Sequence, residues 1–160
     1  MDVDPGEVTE ADLHWLRQAI ELSRRCPPST TAFSVGALIV DGGSAGNTVV
    51  ADGWSRRDDP HEHAEESALA RAGSETRLTT ATIYSSLEPC SARASRSRTC
   101  TELILASGLR RVVFAWREPE IFVDCDGAER LRAAGVVVIE VPSLAPLVRK
   151  VNAHLASCRG

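Results

Sequence analysis

The sequence contains no long apolar run. A transmembrane helix needs roughly 20 consecutive apolar residues, and the apolar stretches of this chain are much shorter. The first ten residues, MDVDPGEVTE, also lack the basic and apolar regions of a secretion signal. We therefore expect a protein of the cytoplasm that has no membrane partner.

An excess of positive charge is also missing. Lys and Arg together number 18, against 22 Asp and Glu, so the formal net charge is −4. Without a basic field, the chain has no general attraction for a polyanion. Nucleic acid is therefore not expected as a partner, and the acidic balance disfavours a role in RNA editing.

The cysteines do not form the pattern of a disulfide scaffold. The five thiols lie at positions 26, 90, 100, 125 and 158, an odd number without the density of a small secreted protein. We expect reduced thiols, and we interpret Cys26, Cys125 and Cys158 as small buried residues. Cys90 and Cys100 differ because of the residues around them.

The apolar periodicity predicts alternating helices and strands. Thr9 and Asp12 mark the start of a first helix, which Pro27 and Pro28 must end. Short β-branched runs predict strands, and amphipathic stretches between them predict helices. The predicted strands are 33–40, 48–54, 81–84, 111–116 and 136–141, and the later helices are 63–72, 99–107, 126–134 and 143–157.

This order of elements predicts an α/β fold. The 160 residues suit one domain over positions 1–160. Strands that alternate with helices favour a three-layer α/β/α sandwich with a five-stranded mixed sheet, mostly parallel in its second half. The glycine-rich segment DGGSAGN lies between two predicted strands and lacks the Lys-Ser/Thr ending of a phosphate loop, so we interpret it as a turn.

Three residues have the chemistry of a catalytic zinc site. His63 opens a predicted helix, Cys90 follows a Glu-Pro turn after a predicted strand, and Cys100 begins the next helix. Catalytic zinc takes three protein ligands and keeps a fourth position for water. The helix dipole favours the thiolate form of a cysteine at a helix N-terminus, and zinc binds the thiolate.

Glu65 lies two residues after His63, in the first turn of the same predicted helix. A carboxylate there would lie beside a zinc-bound water and would act as a proton shuttle rather than as a ligand. His-x-Glu alone is a weak signal, and it gains weight only together with Pro89, Cys90 and Cys100. His61 is a second possible ligand, which we assign to the pocket rim or to solvent.

The segments HAEESAL and SSLEPCSARASRSRTC resemble the zinc motifs of the cytidine-deaminase-like superfamily. Many members carry Pro-Cys-x-x-Cys, whereas nine residues separate Cys90 from Cys100 here. The longer loop is similar to that of the pyrimidine deaminase of riboflavin biosynthesis. This resemblance implies the same three-layer fold, one zinc ion per subunit, and a homodimer or homotetramer. Its implied substrate is a small heterocycle, a diaminopyrimidine nucleotide that carries a phosphate.

The chain departs from that branch at two places. Thr31-Ala32-Phe33-Ser34 stands where the riboflavin enzymes have an Asn-Pro pair that helps to bind the pyrimidine, and the loop between the cysteines is one residue longer. The riboflavin deaminase is also commonly fused to a reductase, whereas we expect one domain here. These departures leave open a free base, a nucleoside or a specialised metabolite of cytosine, guanine or triazine type as substrate.

Candidate substrate-binding residues lie around the expected pocket. The arginines of the inter-cysteine loop have guanidinium groups that suit a phosphate, and the aromatic candidates offer a flat surface to a base. Glu88 is a candidate for holding the loop or for contacting a substrate amino group. The full set is Phe33, Ser34, Ser86, Glu88, Arg93, Arg96, Arg98 and Trp116.

A non-catalytic zinc-binding relative is the alternative from a different class. A structural zinc site normally closes its fourth position with another Cys or His and needs no carboxylate beside the metal. Glu65 therefore favours the enzyme.

Overall fold

A computed structural model of the chain describes residues 6–42, 48–73, 78–90, 98–117 and 126–155. The helices and strands follow one another in the predicted order. The helices are α1 (Glu10–Leu22), α2 (Ala64–Ala72), α3 (Cys100–Ser107), α4 (Gly127–Ala133) and α5 (Ala145–Val151), and the strands are β1 (Gly36–Asp41), β2 (Thr48–Trp54), β3 (Ala81–Leu87), β4 (Arg111–Trp116) and β5 (Val137–Glu140).

The five strands form one mixed sheet in the order β2-β1-β3-β4-β5. β1 is antiparallel to both β2 and β3, whereas β3, β4 and β5 are parallel. α3 and α4 lie between the parallel strands in the chain, as crossover connections require. The predicted mixed sheet with a parallel second half is therefore confirmed.

Alternate residues of the strands pack into two separate cores. Ala37 and Ile39 of β1 belong to a cluster that includes residues of α2, α3 and α4. Leu38 and Val40 belong to a second cluster with residues of α1 and α5. This period of two is the geometry of a strand that is covered on both faces, and it confirms the three-layer sandwich.

Helix α1 begins as the sequence predicts. The Thr9 hydroxyl accepts a hydrogen bond from the Asp12 N–H, and the Asp12 carboxylate accepts one from the Thr9 N–H, which together form a capping box. The helix ends at Leu22 and is followed by a short 3-10 turn, Ser23–Arg25, before the two prolines.

β1 begins at Gly36 and not at Phe33, so the predicted start of this strand is wrong. The Ser34 N–H donates to the Asn152 side chain, and the Val35 N–H donates to the Ser55 hydroxyl. Because side chains bind these amides, the segment is held in place outside the sheet.

Other boundaries also differ from the prediction. β3 continues to Leu87, because Ser85 and Leu87 still pair with Phe114 and Trp116 of β4. β5 is shorter at both ends than the predicted strand, and α5 ends at Val151 rather than at 157. None of the helices in the described part of the chain combines the length and the apolar character that a bilayer crossing requires.

α2 lies unusually close to the sheet, because β2 carries a glycine beneath it. A Cβ atom at Gly53 would overlap the Ala64 carbonyl oxygen and the Ala68 nitrogen of α2. The glycine thus allows the backbone of α2 to contact the strand. This close packing fixes the helix that begins directly after His63.

Candidate active site

Three predicted metal ligands converge beyond the carboxyl end of β3. His63 is the residue that precedes α2, and its N–H donates to Glu66 Oε1 at 3.2 Å. Cys90 follows β3 by three positions, and Cys100 is the first residue of α3. The elements on which they lie were predicted from the sequence, and the sheet brings their ends together.

The distances among these side chains fit a zinc ion. His63 Nδ1 lies 3.3 Å from Cys100 Sγ and 3.5 Å from Cys90 Sγ, and the three ligand atoms lie within 4.8 Å of one another. In a tetrahedral zinc site, with Zn–S bonds of about 2.3 Å and Zn–N bonds of about 2.0 Å, the ligand atoms are about 3.5 Å apart. The donor set and its spacing therefore suit a zinc ion held through Nδ1 and two sulfurs.

The surroundings of Cys90 favour a thiolate. The Cys100 side chain hydrogen-bonds to this thiol, and the contacts with His63 and with the Cys100 N–H at 3.2 Å act in the same direction, so the pKa of Cys90 lies well below its usual range despite burial. Thr101 fixes the backbone of the same residue, because its N–H and hydroxyl both donate to the Cys90 carbonyl oxygen. A thiolate is the form that zinc binds.

Glu65 is buried beside the ligands, as a proton shuttle requires. Only 3% of the residue is exposed, and Oε1 accepts a hydrogen bond of 2.6 Å from the Ser85 hydroxyl. Burial raises the pKa of Glu65, and the Ser85 hydrogen bond and the nearby His63 oppose this effect in part. A raised pKa makes this carboxylate a stronger base than that of an exposed glutamate, as a proton shuttle needs.

The two aromatic candidates lie against each other. The rings of Phe33 and Trp116 meet edge to face, with centroids 5.7 Å apart and planes at 85°. Arg56, whose φ is +59°, donates from its guanidinium to the carbonyl oxygens of Phe33 and Pro27. Phe33 is therefore held from two sides, and its contact with substrate stays a prediction.

Ser34 is fixed through its backbone. Its N–H donates to Asn152 Oδ1 at 2.6 Å, and its carbonyl oxygen accepts from Asn152 Nδ2 at 3.1 Å. Asn152 comes directly after α5 and is fully buried. The C-terminal helix thus holds the segment that leads into β1.

Ser86 and Glu88 make contacts within the fold. The Ser86 hydroxyl is fully buried and accepts from the Gly36 N–H at 3.1 Å. Glu88 Oε2 accepts from the Ala128 N–H at 3.0 Å, near the start of α4, and pairs with Arg117 at 3.4 Å. The loop-holding role considered for Glu88 is consistent with these contacts, and substrate binding by either residue stays a prediction.

The arginine candidates are described only in part. Arg98 is exposed, immediately before Thr99, the N-cap of α3. Arg93 and Arg96 lie outside the described residues, as do Cys125 and Cys158. His61 is exposed and its N–H donates to Asp59 Oδ1, and the described residues place only His63, Cys90 and Cys100 together as a possible metal group.

Sequence reasoning missed two residues that support the site. Ser85 lies between Ile83 and Leu87, which both pack on the face of β3 that α2 covers. Because alternate residues of a strand share a face, Ser85 faces α2 and Glu65, and this alternation is the signal that could have identified it. Asn152 gave no such signal, because its partner Ser34 is 118 positions away in the sequence.

Comparisons with known proteins agree with this geometry. The family described as the cytidine and deoxycytidylate deaminase zinc-binding region matches residues 9–116. A diaminohydroxyphosphoribosylamino-pyrimidine deaminase of Schizosaccharomyces pombe is 39% identical over 129 residues, which are 79% of this chain and 31% of that protein. A deaminase of the same name from Buchnera aphidicola subsp. Acyrthosiphon pisum is 31% identical, and the match covers 79% of this chain and 82% of that protein.

A solved structure has the same fold. The Aspergillus oryzae Rib2 deaminase in complex with DARIPP superposes with a TM-score of 0.79 at 23% identity, over 92% of this chain and 93% of that one. The chain spans only 31% to 35% of the length of the first curated relatives that it matches. The matched region contains His63, Glu65, Cys90 and Cys100. The relatives that match include pyrimidine deaminases of riboflavin biosynthesis. The chain therefore belongs to the family described as the cytidine and deoxycytidylate deaminase zinc-binding region.

Proposed function

We propose that the protein is a zinc-dependent hydrolytic deaminase that removes an exocyclic amino group from a diaminopyrimidine nucleotide. The observation that carries this proposal is the buried Glu65 carboxyl group next to a set of one imidazole and two thiol ligands. A site with three ligands leaves a position for water on a tetrahedral ion, and a carboxylate beside that position is the base that hydrolysis needs.

Zinc bound by His63, Cys90 and Cys100 would lower the pKa of a water molecule toward neutrality. Glu65 would take one proton from the attacking water and pass it to the ring nitrogen, while the water oxygen adds to the amidine carbon. Glu65 then takes the second proton and gives it to the amino group, which leaves as ammonia. The C–N bond breaks, a carbonyl group forms, and the two protons of the water are accounted for.

The substrate assignment rests on the relatives. Both pyrimidine deaminases described above carry a phosphoribosyl diaminopyrimidine in their names, and the Aspergillus oryzae enzyme is in complex with DARIPP. The Phe33–Trp116 pair offers an apolar edge to a pyrimidine, and Arg98 is an exposed cation at the end of the inter-cysteine loop, suited to a phosphate.

Ammonia release tests this proposal. Zinc-loaded protein is incubated with the diaminopyrimidine ribosyl phosphate and with the same compound after its phosphate has been removed. We expect ammonia and the oxo product from the first compound, and a value of kcat/KM for the second that is lower by at least about tenfold, since a charge-assisted hydrogen bond contributes about 1.5 kcal/mol or more. Absence of ammonia from the phosphorylated compound contradicts the substrate assignment.

A second candidate keeps the chemistry and changes the substrate to a free base, a nucleoside or a specialised metabolite. It is favoured by Thr31-Ala32-Phe33-Ser34, which stands where the riboflavin enzymes have the Asn-Pro pair that helps to bind the pyrimidine. Equal or greater kcat/KM on cytidine, guanine or a triazine than on the nucleotide would support this candidate. Zinc binding without turnover of any of them would support a non-catalytic zinc protein.

We further propose that the protein works in the cytoplasm as a homodimer or homotetramer with one zinc ion per subunit. The family resemblance supports the oligomer, and the metabolic role of the relatives supports the location. Sedimentation equilibrium of the zinc-loaded protein measures the assembly, and a single species with the mass of one chain contradicts it.

A further inference from the structure

Ser85 contacts Glu65 from the sheet. Its Oγ lies 2.6 Å from Glu65 Oε1, and the two residues are exposed by only 0% and 3%. Ser85 lies on β3 and Glu65 lies in the first turn of α2. The hydrogen bond therefore joins the sheet to the helix in the buried interior, next to the predicted metal ligands.

The Ser85 hydroxyl has a second acceptor within reach. The carbonyl oxygen of Leu87 lies 2.8 Å from the same Oγ. A serine hydroxyl has one proton to donate, so it can serve only one of these acceptors at a time. A separation of 2.6 Å is typical of an O–H donor to an ionised carboxylate, and 2.8 Å is typical of a neutral hydrogen bond.

We propose that Ser85 is a positioning residue for the proton transfers of Glu65, an inference that rests on the deaminase function proposed above. The hydroxyl donates to Oε1 while Glu65 is a carboxylate, so Oε2 is the atom that takes a proton from water. The Leu87 carbonyl oxygen, 2.8 Å from the same Oγ, holds the Ser85 hydroxyl in place from the strand.

Ser85 is not chemically changed by the reaction. The residue gains and loses no proton. Its contribution is to keep one carboxyl oxygen occupied and the other directed at the reactants. Misplacement of a catalytic group by about 1 Å can cost on the order of a hundredfold in rate. A variant in which the Glu65 carboxylate is no longer held in place should therefore have a measurably lower kcat.

The test compares Ser85→Ala with Ser67→Ala. Ser67 is 1% exposed, lies on α2 two positions after Glu65, and its hydroxyl has no hydrogen-bond partner among the described residues. Both changes delete a buried hydroxyl, but only the first removes a bond to Glu65. We expect kcat to fall about tenfold or more in Ser85→Ala, with KM and zinc content unchanged, because a hydrogen bond to a charged group is lost. Ser67→Ala should keep the wild-type kcat.

A second pair separates the hydroxyl from the shape of the side chain. Ser85→Thr and Ser85→Val add similar volume, but only threonine keeps a donor. We expect Ser85→Thr to retain a higher kcat than Ser85→Val, and equal values would overturn the proposal. Should the added carbon prevent folding of both variants, the alanine pair decides.

The position of Glu65 gives a readout that does not depend on turnover. In crystals of the zinc-loaded variants, we expect the Glu65 carboxylate to be displaced in Ser85→Ala and unchanged in Ser67→Ala. An unchanged position in Ser85→Ala overturns the positioning role. If the wild-type protein releases no ammonia from any tested amine, the proposed function fails together with this inference. If the wild-type protein is active and the two alanine variants have equal kcat, only the role of Ser85 fails.

Discussion

Asp12 and Arg111 form a two-pronged ion pair that joins the first helix to the fourth strand. Arg111 Nη1 lies 2.7 Å from Asp12 Oδ1, and Nη2 lies 2.7 Å from Oδ2. The Tyr84 hydroxyl donates to the same carboxylate at 2.7 Å, and the Thr9 N–H donates to it at 2.9 Å. One buried carboxylate thus accepts hydrogen bonds from the N-cap of α1, from β3 and from β4.

This ion pair predicts a pH-dependent stability. Burial raises the pKa of Asp12, but the hydrogen bonds from Arg111, Tyr84 and Thr9 outweigh it, so the pKa lies below its ordinary value of 3.8. A carboxyl group whose pKa is lowered by folding stabilises the protein at pH values above the unfolded pKa, and that stability is lost as the pH falls through the folded pKa.

We therefore expect Asp12→Asn to reduce the free energy of unfolding by about 3 kcal/mol at pH 7, since breaking a buried ion pair leaves a buried charge. The difference from wild type should shrink as the pH falls below about 4. Urea unfolding at several pH values measures it. Asp58→Asn is the control, because Asp58 pairs with Arg71 at the surface and such pairs contribute little. A difference that is constant down to pH 2 contradicts the role of the charge.

Substitution of Glu65, the proposed proton shuttle, should separate metal binding from turnover. Glu65 is not among the three ligand candidates, so we expect Glu65→Gln to keep its zinc and to lose about a thousandfold or more in kcat, as the loss of general acid–base catalysis implies. Metal analysis and ammonia release measure the two quantities on the same sample. Activity equal to wild type would remove Glu65 from the mechanism.

Substitution of Cys90, a predicted thiol ligand, should reduce zinc binding. Cys90→Ala removes one of the three donors, and we expect the zinc content to fall well below one ion per chain after dialysis against a weak chelator. Cys26→Ala is the matched control, because Cys26 is a free thiol whose Sγ contacts the Val35 carbonyl oxygen. Equal zinc contents in the two variants would show that Cys90 is not a ligand.

The contact between α2 and β2 predicts a steric effect at Gly53. A Cβ atom there overlaps the α2 backbone, so Gly53→Ala must push away the helix that carries Glu65, at a cost of about 3 kcal/mol. Gly135→Ala is the control, because a Cβ atom at Gly135 meets nothing within 4 Å although its φ is +90°, and backbone strain alone costs about 1 kcal/mol. Thermal unfolding compares the two variants, and an equal loss of stability in both would contradict the effect of the overlap at Gly53.

Local patterns were sufficient to predict the order of the helices and strands and the three side chains that the structure brings together as a possible metal group. The capping pair Thr9–Asp12 and the apolar run of β1 are local features of the sequence, and His63, Cys90 and Cys100 were predicted as ligands from residue type and from their positions at the ends of elements. Phe33–Val35 read as a strand because it is apolar, but its amides bind side chains from distant segments. Such partners depend on tertiary packing, which no local pattern encodes.

The hydrogen bonds between Asn152 and Ser34 have a consequence for protein engineering. The family match ends at residue 116, yet the backbone of a segment inside it is bound by a side chain 36 positions further on. β5 and α5, which also lie beyond the match, complete the sheet and one of its two cores. A chimaera in which the matched region alone is transplanted onto another scaffold would keep Ser34 and the predicted zinc ligands but lose Asn152, so a functional swap has to carry the chain through Asn152.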